Sequence, residues 1–193
     1  MRNAMMIGER VYLRPLEKTD AEVIARHAHE ETETFFESGR IPLSPIAVEK
    51  WIEGLYKQQP SLHFQFAVCL LETDEMIGSV GLGGIDWINR TAETESYLDS
   101  AAHRGKGYGP EAKHLLLEYA FEHLHIEMLS SFVWEPNARS ASAVLSQGYR
   151  PAGRIKSRMM QNGEFRDMLA FDISRDEWLE ARARWQAARQ TKK

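Results

Sequence analysis

The chain has 193 residues, 43% of them hydrophobic, 27% charged and 10% aromatic, with a formal net charge of −4. That length suits one domain burying roughly 70% of its unfolded-state surface, and the composition is that of an ordinary globule with no low-complexity tract or internal repeat. The negative balance argues against a nucleic-acid binder; the longest apolar run, Phe66 to Leu71, is too short to span a bilayer; and Met1 to Arg10 lacks a signal-peptide core, so a cytoplasmic location with no membrane partner is expected.

Residues 7 to 14 alternate as a strand that Arg14-Pro15-Leu16 ends, because proline cannot continue the ladder. Thr19 or Asp20 reads as the cap of a helix over 21–29, followed by an irregular acidic stretch to Arg40 that carries Glu30, Glu31, Glu33, Glu37 and the pair Phe35-Phe36. Ser44-Pro45 is a cap-then-proline signature, and Ile46, Trp51, Ile52, Leu55 and Tyr56 give a second helix one apolar stripe. From His63 the period changes to a strand lasting to about Leu71. Cys69, the lone cysteine, sits inside it, which excludes an intramolecular disulfide and points to a buried, inert thiol. The turn Glu72 to Glu75 returns the chain into a partner strand over 76–85, weakened by glycines at 78, 81, 83 and 84, and a further strand covers 92–99.

The next segment is the most informative. His103-Arg104-Gly105-Lys106-Gly107-Tyr108-Gly109-Pro110 is a glycine-punctuated loop with two cations that runs into an apolar helical stretch over about 110–123. Glycines permit positive φ and close backbone approach, so successive N–H groups converge on one anion, and the helix start adds unpaired N–H groups and the positive end of its dipole. The arrangement reads as a diphosphate cradle. It is neither a P-loop, which ends in Gly-Lys-Ser/Thr, nor a dinucleotide fingerprint, which belongs to an early βαβ unit. A strand over 126–134 follows, then a helix over 137–147 closed by Gly148. Strands over 152–160 and 164–173 are joined by Gln161-Asn162-Gly163, and Ser174-Arg175-Asp176-Glu177 is a capping box opening a last helix over about 175–190. The pairs His27/His29 and His123/His125 have no acidic or cysteine companion at ligand spacing, so no metal is expected.

Arg104-Gly105-Lys106-Gly107-Tyr108-Gly109 fits (Gln/Arg)-x-x-Gly-x-(Gly/Ala) and resembles the acetyl-coenzyme A loop of the GNAT superfamily of N-acetyltransferases. The order of elements is similar to that fold over nearly the whole chain. Val11-Tyr12-Leu13-Arg14-Pro15-Leu16, Ile77-Gly78-Ser79-Val80-Gly81-Leu82, Asn137-Ala138-Arg139-Ser140 and Gly148-Tyr149-Arg150 resemble the ribosomal-protein and amino-acid type members. The resemblance implies an α+β fold: a central mixed, mostly antiparallel sheet flanked by helices, with splayed fourth and fifth strands. It implies one N-acetyltransferase domain over 1–193, with its core at about 7–180. Acetyl-coenzyme A is then the co-substrate, its diphosphate held by Arg104, Gly105, Lys106, Gly107, Tyr108 and Gly109, and its pantetheine paired with the backbone at Leu98 and Asp99 beside Asn137 and Ser140.

Two departures matter. Where relatives usually have glycine in the fourth strand this chain has Glu95, and where many keep a tyrosine that protonates the coenzyme sulfur it has Val144. Glu93 and Glu95 share one strand face, because side chains repeat every two residues, and are the candidates to take the amine proton; the alternative is a merely solvated face. Ser140 is the candidate proton donor to sulfur, or else a surface serine. Asn137 either lies along the pantetheine arm or simply caps its helix. The acidic Glu30 to Glu37 region suggests a cationic acceptor. The expected reaction is direct transfer to a primary amine, on a protein or peptide N-terminus or a small molecule. The rivals are a polyamine or antibiotic acetyltransferase and a noncatalytic acyl-coenzyme A sensor; a homodimer is a candidate assembly.

Overall fold

The computed structural model describes residues 1–30, 42–98, 101–161 and 163–190. The expectations resting on Glu31, Glu33, Phe35, Phe36, Glu37, Asp99 and Asn162 lie outside the described residues. Among those described, eight strands form one sheet: β1 (Met6–Ile7), β2 (Val11–Pro15), β3 (Phe64–Leu70), β4 (Met76–Asp86), β5 (Thr91–Leu98), β6 (Met128–Trp134), β7 (Arg150–Gln161) and β8 (Glu164–Ser174). They lie in the order β1-β2-β3-β4-β5-β6-β8-β7. Every neighbouring pair is antiparallel except β5 with β6, which is parallel. The helices are α1 (Ala21–Glu30), α2 (Pro45–Leu55), α3 (Tyr108–Glu118), α4 (Ala138–Ser146) and α5 (Arg175–Gln190). None of the described helices is long and apolar enough to cross a membrane.

The expected elements form with small shifts. Ser44 caps α2 by accepting from the Ala47 N–H, Pro45 follows at the first helical position, and Ser174 and Glu177 make the reciprocal capping pair that opens α5. Cys69 is fully buried, and burial pushes its thiol up, as an inert core sulfur requires. One expectation is corrected: residues 7–14 are not one strand but a tight hairpin of β1 and β2, closed by the Gly8 N–H on the Val11 carbonyl. The cause lies far along the chain. The buried Glu111 carboxylate takes the backbone N–H groups of Glu9, Arg10 and Val11 and diverts them from a straight ladder.

Two apolar layers sandwich the sheet. One face packs Val11, Leu13, Val80 and Leu82 against Ala112, Leu116, Leu117 and Phe121, with Trp178 of α5 stacked on Phe121. The other face packs Tyr12, Ala67 and Cys69 against Ala21 and Ala25 of α1 and Val48 and Ile52 of α2.

The start of α1 is fixed by a buried ion pair. Arg14, 4% exposed, donates twice to Asp20, likewise 4% exposed, at 2.7 Å each. Burial alone would push the Asp20 carboxyl up, but the Arg14 guanidinium and the Glu17 N–H outweigh it and hold the carboxyl below its ordinary value. Its stabilising contribution is therefore complete at neutral pH and is lost as pH falls through that lowered value. Asp20→Ala strands a buried guanidinium and is expected to cost about 3–5 kcal/mol, read as a fall in denaturation midpoint. The gap between variant and wild type should close as the medium is acidified below the usual carboxylate range.

Candidate active site

The glycine loop is held from behind. Arg10, in the β1–β2 turn, donates to the carbonyls of Lys106 at 2.7 Å and Gly107 at 3.1 Å, and its Nε donates to Glu111 Oε2 at 3.0 Å. The guanidinium also lies over the Tyr108 ring, 5.4 Å from its centroid. Loop carbonyls are thus turned inward onto Arg10. Gly105 and Gly107 have φ of 75° and 81°, and Gly107 is the N-cap of α3. A Cβ at Gly107 would stand 3.0 Å from Arg10 Nη2, so both the left-handed backbone and the close approach require glycine there. Gly8 is needed for a similar reason, since its Cβ would meet Glu111 Oε1 at 2.4 Å. The first-turn N–H groups of α3 and its dipole remain pointed at the mouth of the loop.

The loop lies at the end of a gap in the sheet. β5 and β6 pair only at Thr91 with Met128, Ala92 with Leu129 and Glu93 with Ser130, then part. Because the strands are parallel, both carboxyl ends open on the same side. There the loop and α3 follow β5, and the Asn137 cap and α4 follow β6. Leu98 borders the loop: Arg104 donates to its carbonyl at 3.4 Å, and a Cβ at Gly109 would meet its side chain at 3.1 Å.

Glu93 and Glu95 project from one face of β5, opposite Gly83 and Gly81 of β4. The half-buried Glu93 carboxyl is pushed up, first by burial and then by the like charge of Glu95. Glu95 is exposed and lies 3.8 Å from His63 Nε2. His63 in turn is 3.3 Å from Gln65 Oε1, and Gln65 Nε2 donates to Ser79 Oγ at 3.3 Å. The β4 glycines make room for this row: a Cβ at Gly81 would strike Gln65 Oε1 and one at Gly83 would lie 3.1 Å from Glu95 Oε1. On the α3 face of the sheet, Lys113 is 1% exposed, with its ammonium 5.7 Å from the Tyr149 ring centroid. Tyr149 is hydrogen-bonded to Thr94 at 2.8 Å, and Thr94 donates to the Ser130 carbonyl at 3.1 Å.

Asn137 performs the capping role, its Oδ1 accepting from the Ser140 N–H at 3.0 Å. Ser140 is half-buried on the first turn of α4, and Val144 is a core residue packed with Tyr149, in keeping with its apolar side chain. The structure therefore brings Glu93 and Glu95 together at the strand separation and Leu98, Arg104 and Gly109 together at the loop, with Asn137 and Ser140 on the opposite wall. Sequence reasoning missed Arg10, Glu111, His63 and Lys113. Only Lys113 left a trace: a charged residue at a position where the α3 pattern of Ala112, Leu116 and Ala120 already runs apolar. Among the described residues, no group of three or more His, Cys, Asp or Glu is placed to hold a metal ion. A hollow of about 440 Å³ lies elsewhere, lined by Glu22, Ala25, Arg26, His29 and Glu30 of α1 and by Pro45.

The acetyltransferase (GNAT) domain family matches residues 10–150, and the chain belongs to that family. It is an N-acetyltransferase, similar at 29% identity over 174 residues to the probable N-acetyltransferase YjcK of Bacillus subtilis, covering 84% of this chain and 93% of that one. It is also 24% identical over 178 residues to the putative ribosomal N-acetyltransferase YdaF of the same organism, covering 89% and 95%. A spermidine N-acetyltransferase from Vibrio cholerae, solved in complex with CoA and spermine, shares the fold at TM-score 0.75 and 22% identity, covering 88% of this chain and 98% of that one.

The Arg10–Glu111 clamp is directly testable. Glu111→Ala leaves the N–H groups of Glu9, Arg10 and Val11 without their acceptor and is expected to destabilise the fold by about 2–4 kcal/mol. Hydrogen exchange at those three amides should accelerate well beyond that of the β3–β4 ladder.

Proposed function

We propose that this N-acetyltransferase uses acetyl-coenzyme A and transfers its acetyl group directly to a primary amine, with the chain acting as one catalytic domain. The parting of β5 from β6 after Glu93 and Ser130, with two carboxylates on β5 and the glycine loop at its end, carries this reading. The cradle fits a diphosphate. Arg10 removes the Lys106 and Gly107 carbonyls, positive φ at Gly105 and Gly107 turns the backbone, and Arg104 and Lys106 supply charge. Acetyl-coenzyme A, when bound, supplies an activated thioester. The open side of β5 toward Leu98 pairs with the pantetheine as an added strand would, and a backbone N–H there polarises the carbonyl.

Glu95 takes the proton that the acceptor ammonium must lose, and the adjacent His63 gives that proton a way out. Glu93, deeper and already pushed up, attracts the cationic acceptor and backs Glu95. Ser140, with Asn137 ordering its helix turn, hands a proton to the departing sulfur in place of the tyrosine that Val144 replaces. The acceptor is a protein or peptide N-terminus or a small amine. The name of the ribosomal relative supports the first, and the spermine bound to the Vibrio cholerae enzyme supports a polyamine. Location in the cytoplasm belongs to the same reading.

Gly107→Asp forces a side chain onto a backbone of φ 81° and against the Arg10 guanidinium that holds the Lys106 and Gly107 carbonyls, and so distorts the cradle. Calorimetry should show acetyl-coenzyme A binding lost while circular dichroism reports a folded chain; unchanged affinity removes the cradle. Glu95→Gln should lower turnover by roughly two to four orders of magnitude with cofactor binding intact, and Ser140→Ala should act in the same direction. Both are measured by release of free thiol against panels of peptides, amino acids and polyamines. Normal rates in both would reassign proton transfer to water or other groups.

A further inference from the structure

A lysine with 1% exposure is rare, because an ammonium taken from water loses its hydration. Lys113 is also oddly placed for a packing residue. It leaves α3 between Ala112 and His114 and reaches the Tyr149–Thr94–Ser130 chain of hydrogen bonds, at the last residue pair before β5 and β6 part. We propose that Lys113 is a positioning residue for the proton-accepting carboxylates, a buried cation at the apex of the strand separation that acts through the protein on Glu93 and Glu95 and keeps them charged as the acceptor amine arrives. This rests on the carboxylate reading of the site given above.

The surroundings leave few other charges to act on it. β2 and β4 present Val11, Leu13, Val80 and Leu82 to α3. The contacts of α3 with α5 use other positions, Glu118 with Arg182 and His114 with Trp185. Among the described residues the titratable group facing the ammonium is Tyr149, against which it rests; Glu93 and Glu95 flank Thr94 on the opposite face of β5, with His63 beyond Glu95. Through a dry interior a unit charge is felt over several ångströms far more than in water. The coupling runs both ways: the Lys113 charge pulls the Glu93 carboxyl down against burial and against Glu95, while burial pushes the Lys113 amine down to about 7 against the opposing pull of Glu95 and Glu93.

The signs suit the task. The ammonium is present below about pH 7, where its charge opposes protonation of the pushed-up Glu93 carboxyl, and fades above it. It also costs the fold stability. The folded state holds this proton less tightly than the unfolded chain, so the penalty is complete below about pH 7 and shrinks toward the ordinary lysine value of 10.5. A residue kept for packing alone would be better as methionine.

The experiment compares the pH dependence of kcat/KM in wild type, Lys113→Met and Lys113→Arg, using an amine that the wild type acetylates. In Lys113→Met the acidic limb is expected to move up by about one pH unit, and in Lys113→Arg to stay with the wild type. Lys113→Met should also melt at a higher temperature, with a larger gain at pH 6 than at pH 9. Carbon-13 NMR titration of the Glu93 carboxyl, with Glu93→Gln to assign it, reads the same coupling without turnover; its midpoint should rise in Lys113→Met. Lys113→Gln gives the same comparison should the methionine variant not fold. An acidic limb and a Glu93 titration both unmoved in Lys113→Met, with Glu95→Gln inactive, overturn the role of Lys113 and leave the carboxylate reading standing. Normal turnover in both Glu93→Gln and Glu95→Gln overturns the reading beneath it.

Discussion

β5 and β6 are held together by three residue pairs and then diverge, and the functional geometry of the molecule depends on that divergence. Parallel neighbours normally continue in register until one ends. Here β6 gives its full length to β8, from Met128 to Trp134, while β5 gives its own to β4, so each strand is satisfied on one side and open on the other. A wedge with unpaired backbone edges is thereby built into the middle of a sheet without exposing its core. Since both strands run toward the mouth of the wedge, the helices that follow them begin there, and two helix N-termini face one opening.

The glycine-loop end of that opening is stabilised by a contact spanning a hundred residues. Glu111, one turn into α3, reaches the β1–β2 turn and takes three backbone N–H groups, while Arg10 from that turn takes two carbonyls of the glycine loop. Each side satisfies polar groups that the other would leave stranded. The loop is therefore ordered by contacts within the chain, and in the proposed reading this lowers the entropic cost of closing on a phosphate.

Charge near the apex is arranged differently. Two carboxylates of like sign stand on one strand, with a half-exposed histidine beside one of them and a lysine buried on the far side of the sheet, and Glu93 and Lys113 are both pushed from their ordinary values. Burial penalises Glu93 and Lys113 alike, and each partly relieves the other. Structural ion pairs elsewhere in the chain look different. Arg14 with Asp20 is bidentate and closed, and its carboxyl is held low rather than pushed up.

Much of this was legible in the chain itself. Local chemistry set the element order: proline at 15 and 45, serine caps at 44 and 174, the apolar run of β3 and the glycine run of the loop act over a few residues and need no partner. The glycine loop and the paired β5 carboxylates were readable for the same reason, being patterns of spacing two to six. The first strand was misread as continuous because the group that bends it, Glu111, is distant in sequence. Arg10 and His63 carried no local signal, since an arginine in a turn or a histidine before a strand is ordinary. Lys113 left only the trace of a charge in an apolar helical pattern, and the fold encloses it. Sequence fixes what each residue can do alone; which charges share a dry space, and which backbone groups are left open, is decided only when remote segments meet and water is excluded between them.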